Sequence, residues 1–151
     1  MKDHEYKKDP IKSHHVILYV DTENIVPGNE DNCCWLGWPK NDHQKNKDWY
    51  TYVDPGEYIT WIGLSISSPN DIVNITSISH EKKSNVFGKT ILHGNGESPE
   101  KVIGTVQNDT DDENEQYMIS FTVSNGNNGG LRNGSYRVDP EIRVRPPGSG
   151  G

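Results

Sequence analysis

The chain has 151 residues, 22 acidic against 15 basic side chains and a net charge of −7, and it contains no alanine and only five leucines. Val and Ile together fill 24 positions; β-branched side chains lose rotamer freedom against a helical turn and alanine and leucine lose least, so a helical bundle is excluded and an all-β domain is expected. The acidic balance disfavours a surface that tracks phosphates, and no run reaches the roughly 18 apolar residues of a membrane helix, so neither nucleic acid nor membrane is expected as a partner.

Residues 1–13 read as a flexible N-terminal arm of mixed charge, residues 14–146 as a single β-sandwich domain, and residues 147–151 as a flexible Gly-rich tail. Met1 to His14 lacks the apolar stretch of a secretory signal, so the expected location is the cytoplasm. The first strand is His15-Val-Ile-Leu-Tyr-Val20, a continuous apolar run that stops at Asp21-Thr22-Glu23-Asn24. Residues 27–48 read as one long polar loop carrying Cys33, Cys34, Trp35 and Trp38.

A second strand is expected over Trp49–Val53 and a third over Glu57–Ser67, with Ile62, Leu64 and Ile66 on one face. Ile72–Ser79 alternates, placing Ile72, Asn74, Thr76 and Ile78 on one side and Val73, Ile75 and Ser77 on the other. Weaker strands follow at Thr90–His93 and Val102–Val106, and Asp109–Glu115, with five acids in seven residues, reads as a solvated loop. Tyr117–Val123, Gly134–Val138 and Glu141–Arg145 complete seven to nine short strands at turn-rich spacing, the pattern of a β-sandwich.

The acidic segment is the natural calcium candidate, with Asp109, Asp111 and Glu113 as the ligand set to examine, because hard oxygens crowd there. It lacks the glycine at the sixth position and the closing glutamate of a helix-loop-helix site. The six histidines show no zinc-ligand spacing, and Cys33-Cys34 lacks the two-residue gap of a metal knuckle. Adjacent cysteines rarely bridge each other, so both are read as free thiols in a reducing compartment. The sequons at Asn74, Asn108 and Asn133 then carry no glycan. No Gly-x-Ser-x-Gly elbow is present, and Gly94-Asn-Gly96 and Gly126–Gly130 lack the following helix of a phosphate cradle. No catalytic residue and no resident cofactor is therefore expected.

Aromatic faces stack on the apolar faces of sugars, and Asn and Asp side chains bond hydroxyls. Trp35 and Trp38 in the loop, with Asp21, Glu23 and Asn24 at the end of the first strand, are accordingly the candidate ligand-binding residues. The plain alternative for Asp21 is fixation of its own turn, and Trp61 in mid-strand is expected in the core.

Four ordered segments carry a resemblance. They are His15-Val-Ile-Leu-Tyr-Val-Asp-Thr-Glu-Asn-Ile25, Gly56-Glu-Tyr-Ile-Thr-Trp-Ile-Gly-Leu-Ser-Ile66, Val86-Phe87 and Gly134-Ser-Tyr-Arg-Val-Asp-Pro-Glu-Ile-Arg-Val144. Together they resemble the bacterial inclusion-body protein family (PixA/AidA-like) over residues 14–145, departing from it in the loop after Ile25 and in Gly88–Glu115. The resemblance implies a jelly-roll-like sandwich without catalytic activity, accumulation in cytoplasmic inclusions and sugar binding of the fucose type. The expectation is thus a non-enzymatic, homo-oligomeric module that binds carbohydrate or meets a host partner. The alternative is a self-assembling structural or storage protein.

Overall fold

Val16, Leu18 and Val20 point into the core from the first strand, β1 (Ser13–Val20), because side chains alternate across a strand and these three are the fully buried set. The computed structural model describes residues 13–37, 40, 45–80, 84–94, 98–127, 130–131 and 134–147. Ser13, expected in the arm, opens β1; the rest of the expected arm, and the expected tail after Pro147, lie outside the described residues.

The long loop expected over 27–48 instead holds regular structure. A single helical turn, α1 (Glu30–Cys33), leads into β2 (Cys34–Gly37), and a 3-10 turn spans Asn46–Asp48. Cysteine behaves as a small hydrophobe, so Cys33, Cys34 and Leu36 are buried and draw the segment onto β1.

The remaining strands are β3 (Tyr50–Val53), β4 (Tyr58–Ser65), β5 (Asp71–Ser79), β6 (Ile91–Leu92), β7 (Lys101–Thr105), β8 (Asn114–Gln116), β9 (Met118–Asn125), β10 (Tyr136–Val138) and β11 (Glu141–Val144). They form three sheets, in the orders β2-β1-β4-β7, β10-β9-β5-β6 and β3-β11-β8. The fold is all-β, as composition requires. β1 runs parallel to β4 and β3 parallel to β11; the other pairs are antiparallel.

The first two sheets face each other closely. A Cβ on Gly63 of β4 would lie 2.5 Å from Val73 Cγ1 and 2.9 Å from the Val73 carbonyl oxygen, so only glycine fits between the layers. Trp61, Ile59, Phe121, Ile119 and Val73 fill the space between them, and Val53, Ile142 and Val144 of the third sheet join the same core.

Two expectations shift. In β5 a register irregularity between Ile75 and Ser77 inserts a residue, so Ile78 joins Val73 and Ile75 in the core rather than sharing a side with Ile72. The acidic segment is not wholly a solvated loop, because Asn114–Gln116 pairs with β11 and Thr110 is buried. Val144 N donates to Thr110 Oγ1 at 2.9 Å, and Thr110 Oγ1 donates to the Glu113 carbonyl at 2.6 Å. Asp111 and Asp112 both take left-handed backbone conformations, which Asp tolerates better than most residues.

Candidate functional site

The residues singled out from sequence divide between three places. Asp21 sits where β1 ends, its N–H donating to the Cys33 carbonyl at 2.8 Å. Its carbonyl accepts from Ile25 N at 3.1 Å, and its Oδ2 accepts from Asn24 Nδ2 at 2.9 Å. The Asn24 amide is the main reason the Asp21 carboxyl lies below its ordinary range, with a smaller contribution from the Ser67 hydroxyl. Glu23 N donates to Ser67 Oγ at 3.0 Å, while Thr22 beneath is fully buried, its hydroxyl 2.8 Å from Ser65 Oγ. Asp21 and Asn24 are thus brought together through Oδ2, while Asp21 Oδ1 is enclosed without a hydrogen-bond partner among the described residues.

Trp35 is half-buried on β2, paired in register with Tyr19, which is paired in turn with Leu64 of β4. These three form one row across the outer face of the first sheet. Lys40 Nζ lies 4.5 Å above the Trp35 ring, within cation–π range. Trp38 lies outside the described residues.

In the acidic segment Asp109 Oδ1 accepts from Asp111 N at 2.8 Å, a local turn contact. Among the described residues no group of three or more His, Cys, Asp or Glu side chains is placed to hold a metal ion. Two acids outside the calcium candidates have long-range roles. Glu115 Oε2 accepts from Ser84 Oγ at 2.6 Å, and its Oε1 lies 3.1 Å from the buried His80 Nε2. Asp112 binds residues of two strands. Its Oδ1 accepts from Arg143 Nε at 3.0 Å and from the Tyr52 hydroxyl at 2.7 Å. Arg143 first, and Tyr52 second, hold this carboxyl below its usual range.

Sequence reasoning missed a cleft of about 400 Å3 lined by His14, His15, Trp49, Tyr50 and Tyr52, where the start of β1 passes the start of β3. Its walls are fixed. His14 Nε2 lies 2.8 Å from Glu57 Oε1, and the guanidinium carbons of Arg143 and Arg145 each lie 5.2 Å from the Tyr52 ring centre. Arg145 is itself held by Asp54 through two contacts of 2.6 Å. The available signal was the spacing Tyr50-x-Tyr52, which sets both tyrosines on one face of a strand.

The outer faces of the two large sheets both expose aliphatic side chains, Ile72 and Ile91 on the second and Leu64 and Ile103 on the first, and differ in what lies between them. On the second sheet Asn74 Nδ2 donates to Thr122 Oγ1 at 3.2 Å and to Ser124 Oγ at 3.1 Å, a ladder of amide and hydroxyl groups. On the first sheet the corresponding positions are Tyr19, Trp35, Ile62, Leu64 and Ile103, and Leu64 and Ile103 are about half exposed (49% and 56%).

Burial raises both thiols of Cys33 and Cys34, which are free cysteines within the fold and turned away from any ligand-accessible surface. Among the described residues no helix is long and apolar enough to cross a membrane.

No family model matches the sequence, and no curated protein matches it. The structure is similar to the crystal structure of an inclusion body protein (PixA) from Burkholderia cenocepacia J2315, with 10% sequence identity and a TM-score of 0.60 over 91% of this chain and 98% of that one. The resemblance read from the four sequence segments is therefore matched by a shared all-β fold along nearly the whole of both chains.

Proposed function

We propose that the protein is a non-catalytic, self-associating protein of the inclusion-body type, which works by assembling with copies of itself. The observation that carries this reading is the exposure of large apolar side chains on regular strands, above all Leu64 and Ile103 on one sheet. The inclusion body protein from Burkholderia cenocepacia J2315 that shares the fold supports it. Sedimentation velocity of the full chain from micromolar to millimolar concentration, with and without free monosaccharides, tests it. Mass rising with concentration and indifferent to sugar is expected. A strictly monomeric chain throughout would overturn the reading.

A second reading, glycan binding, is favoured by the aromatic cleft of Trp49, Tyr50 and Tyr52 rather than by the turn at Asp21, where Asn24 holds one carboxylate oxygen and the other is enclosed. Tyr50 is exposed and free to stack on a sugar ring, with His15 beside it as a hydrogen-bonding group. Saturable quenching of tryptophan fluorescence by fucosides or mannosides, lost in Tyr50→Ala, is the expected result. An unchanged spectrum at millimolar sugar would remove this reading.

A further inference from the structure

Resting on the self-association reading, we infer that the outer face of the β2-β1-β4-β7 sheet is the surface on which a second copy of this chain docks, face to face. Three observations support this: chemistry selects the face, and charge and area bear on the occupant.

The first is chemistry. Three outer sheet faces are available, and they are unlike one another. That of the second sheet carries the polar ladder of Asn74, Thr122 and Ser124, with the isolated aliphatics Ile72 and Ile91 exposed to either side of it and, among the described residues, no aromatic residue. That of the third sheet is tied up by ion pairs and hydrogen bonds of Arg143, Arg145, Asp112 and Asp54. The first presents Trp35, Tyr19 and Leu64 in one row and Ile62 in the next, with Ile103 beyond on β7. Aromatic and aliphatic side chains at the centre of a patch are what interfaces concentrate.

The second is charge. Each copy carries −7, so two copies repel over most of their surface. Among the described residues at outward strand positions of this face there is no carboxylate, whereas Lys101 and His15 are there and Lys40 covers Trp35. A second acidic copy therefore meets no opposing carboxylate here. The outward positions of the second sheet, which include Arg137, share that property, so charge bears on the occupant and chemistry on the choice of face.

The third is area. β1 and β4 are each eight residues long, β2 four and β7 five, so at ordinary strand rise and spacing the face measures roughly 400 Å2, part of which, at Ile17 and Thr60, is already covered within the chain. Two such faces bury at most about 800 Å2 in all, the size of a weak contact, suited to assembly that depends on concentration rather than to a permanent dimer. Sheets packed in this way lie about 10 Å apart. The contact is then isologous, each copy offering the same patch.

The test is sedimentation velocity on the full chain and on Leu64→Asp, Ile103→Asp and, on the opposite sheet, Thr122→Asp. All three positions lie on the outer side of their strands, and circular dichroism confirms the fold before each run. A Leu64→Lys variant repeats the first substitution with the other sign of charge. The expected result is at least a 100-fold weaker self-association for each variant on the first sheet, none for Thr122→Asp, and stronger assembly of the native chain at high salt as repulsion is screened. If the native chain assembles and Leu64→Asp and Ile103→Asp assemble equally well, the docking face is wrong while self-association stands. If the native chain remains monomeric to millimolar concentration, both fail and the face belongs to another partner.

Discussion

Trp61 Nε1 donates a hydrogen bond to the Tyr117 hydroxyl at 3.0 Å across the core, with the two rings set edge to face at 5.9 Å. Both side chains are buried, and Phe87 stands edge-on to each of them at 5.3 and 6.2 Å. The contact ties β4 to the segment that joins β8 and β9, so one polar bond inside an apolar core links different sheets. Burial also pushes the Tyr117 hydroxyl well above its ordinary value, keeping it protonated. Tyr117→Phe would leave the indole N–H without this acceptor. It is expected to cost about 1–3 kcal/mol, the penalty for an orphaned buried donor. Urea unfolding followed by tryptophan fluorescence measures this; a midpoint equal to that of the native chain would show the bond to be dispensable.

Gly63 lies where two sheets approach too closely for any side chain, its missing Cβ meeting both side-chain and backbone atoms of Val73. Gly63→Ala is expected to destabilise by about 1–3 kcal/mol through overpacking. Pairing it with Val73→Ala should recover part of that loss, because the two changes share one space. Strict additivity in a double-mutant cycle would refute the close approach.

Cys33 and Cys34 are both buried, and burial is the main cause that raises each thiol; the nearby charge of Asp21 adds to the effect on Cys33. A raised thiol forms less thiolate at any given pH, and thiolate is the reactive species. At pH 8 a thiol reagent is expected to leave both residues untouched in the native protein and to modify both in denaturant. Rapid labelling without denaturant would mean that the α1–β2 segment opens readily.

Asp139 is shifted upward, chiefly by burial and against the pull of Arg137, with Oδ1 enclosed. The folded state thus holds the proton more tightly than the unfolded chain. Stability from this group falls as pH rises from the unfolded value near 3.9 through the folded value, and the penalty is fully present at neutral pH. Asp139→Asn is expected to raise the melting temperature at pH 7, with the difference shrinking as the pH is lowered towards 3.9. A constant difference across that range would assign the effect to packing instead.

What could be read in the sequence were features whose cause lies within a few residues. The apolar run His15–Val20 is a strand, Trp61 is buried, and Asp21 bonds its own turn through Asn24. What escaped depends on which distant strands pair. The four residues of β2 are too few to show a period, and the irregularity in β5 leaves the sequence alternation intact while turning Ile78 to the core. The cleft at Tyr50 and Tyr52 exists because β3 lies against β11, where Arg143 and Arg145 reach Tyr52. The row Trp35, Tyr19, Leu64 requires the register of three strands, one pair antiparallel and the other parallel. Side chains so brought together carry no local signature.

β11 sits in the middle of the third sheet, between β3 and β8, although in chain order it follows every other strand. During synthesis β3 and β8 leave the ribosome without their partner. The Tyr52 and Asp112 side chains then wait for Arg143, and Asp54 waits for Arg145. The third sheet closes only once residue 144 has emerged, so the cleft walls are among the last parts of the molecule to set. Until then a newly made chain exposes the edges of β3 and β8 to its neighbours. That interval is when correct folding and uncontrolled strand exchange compete.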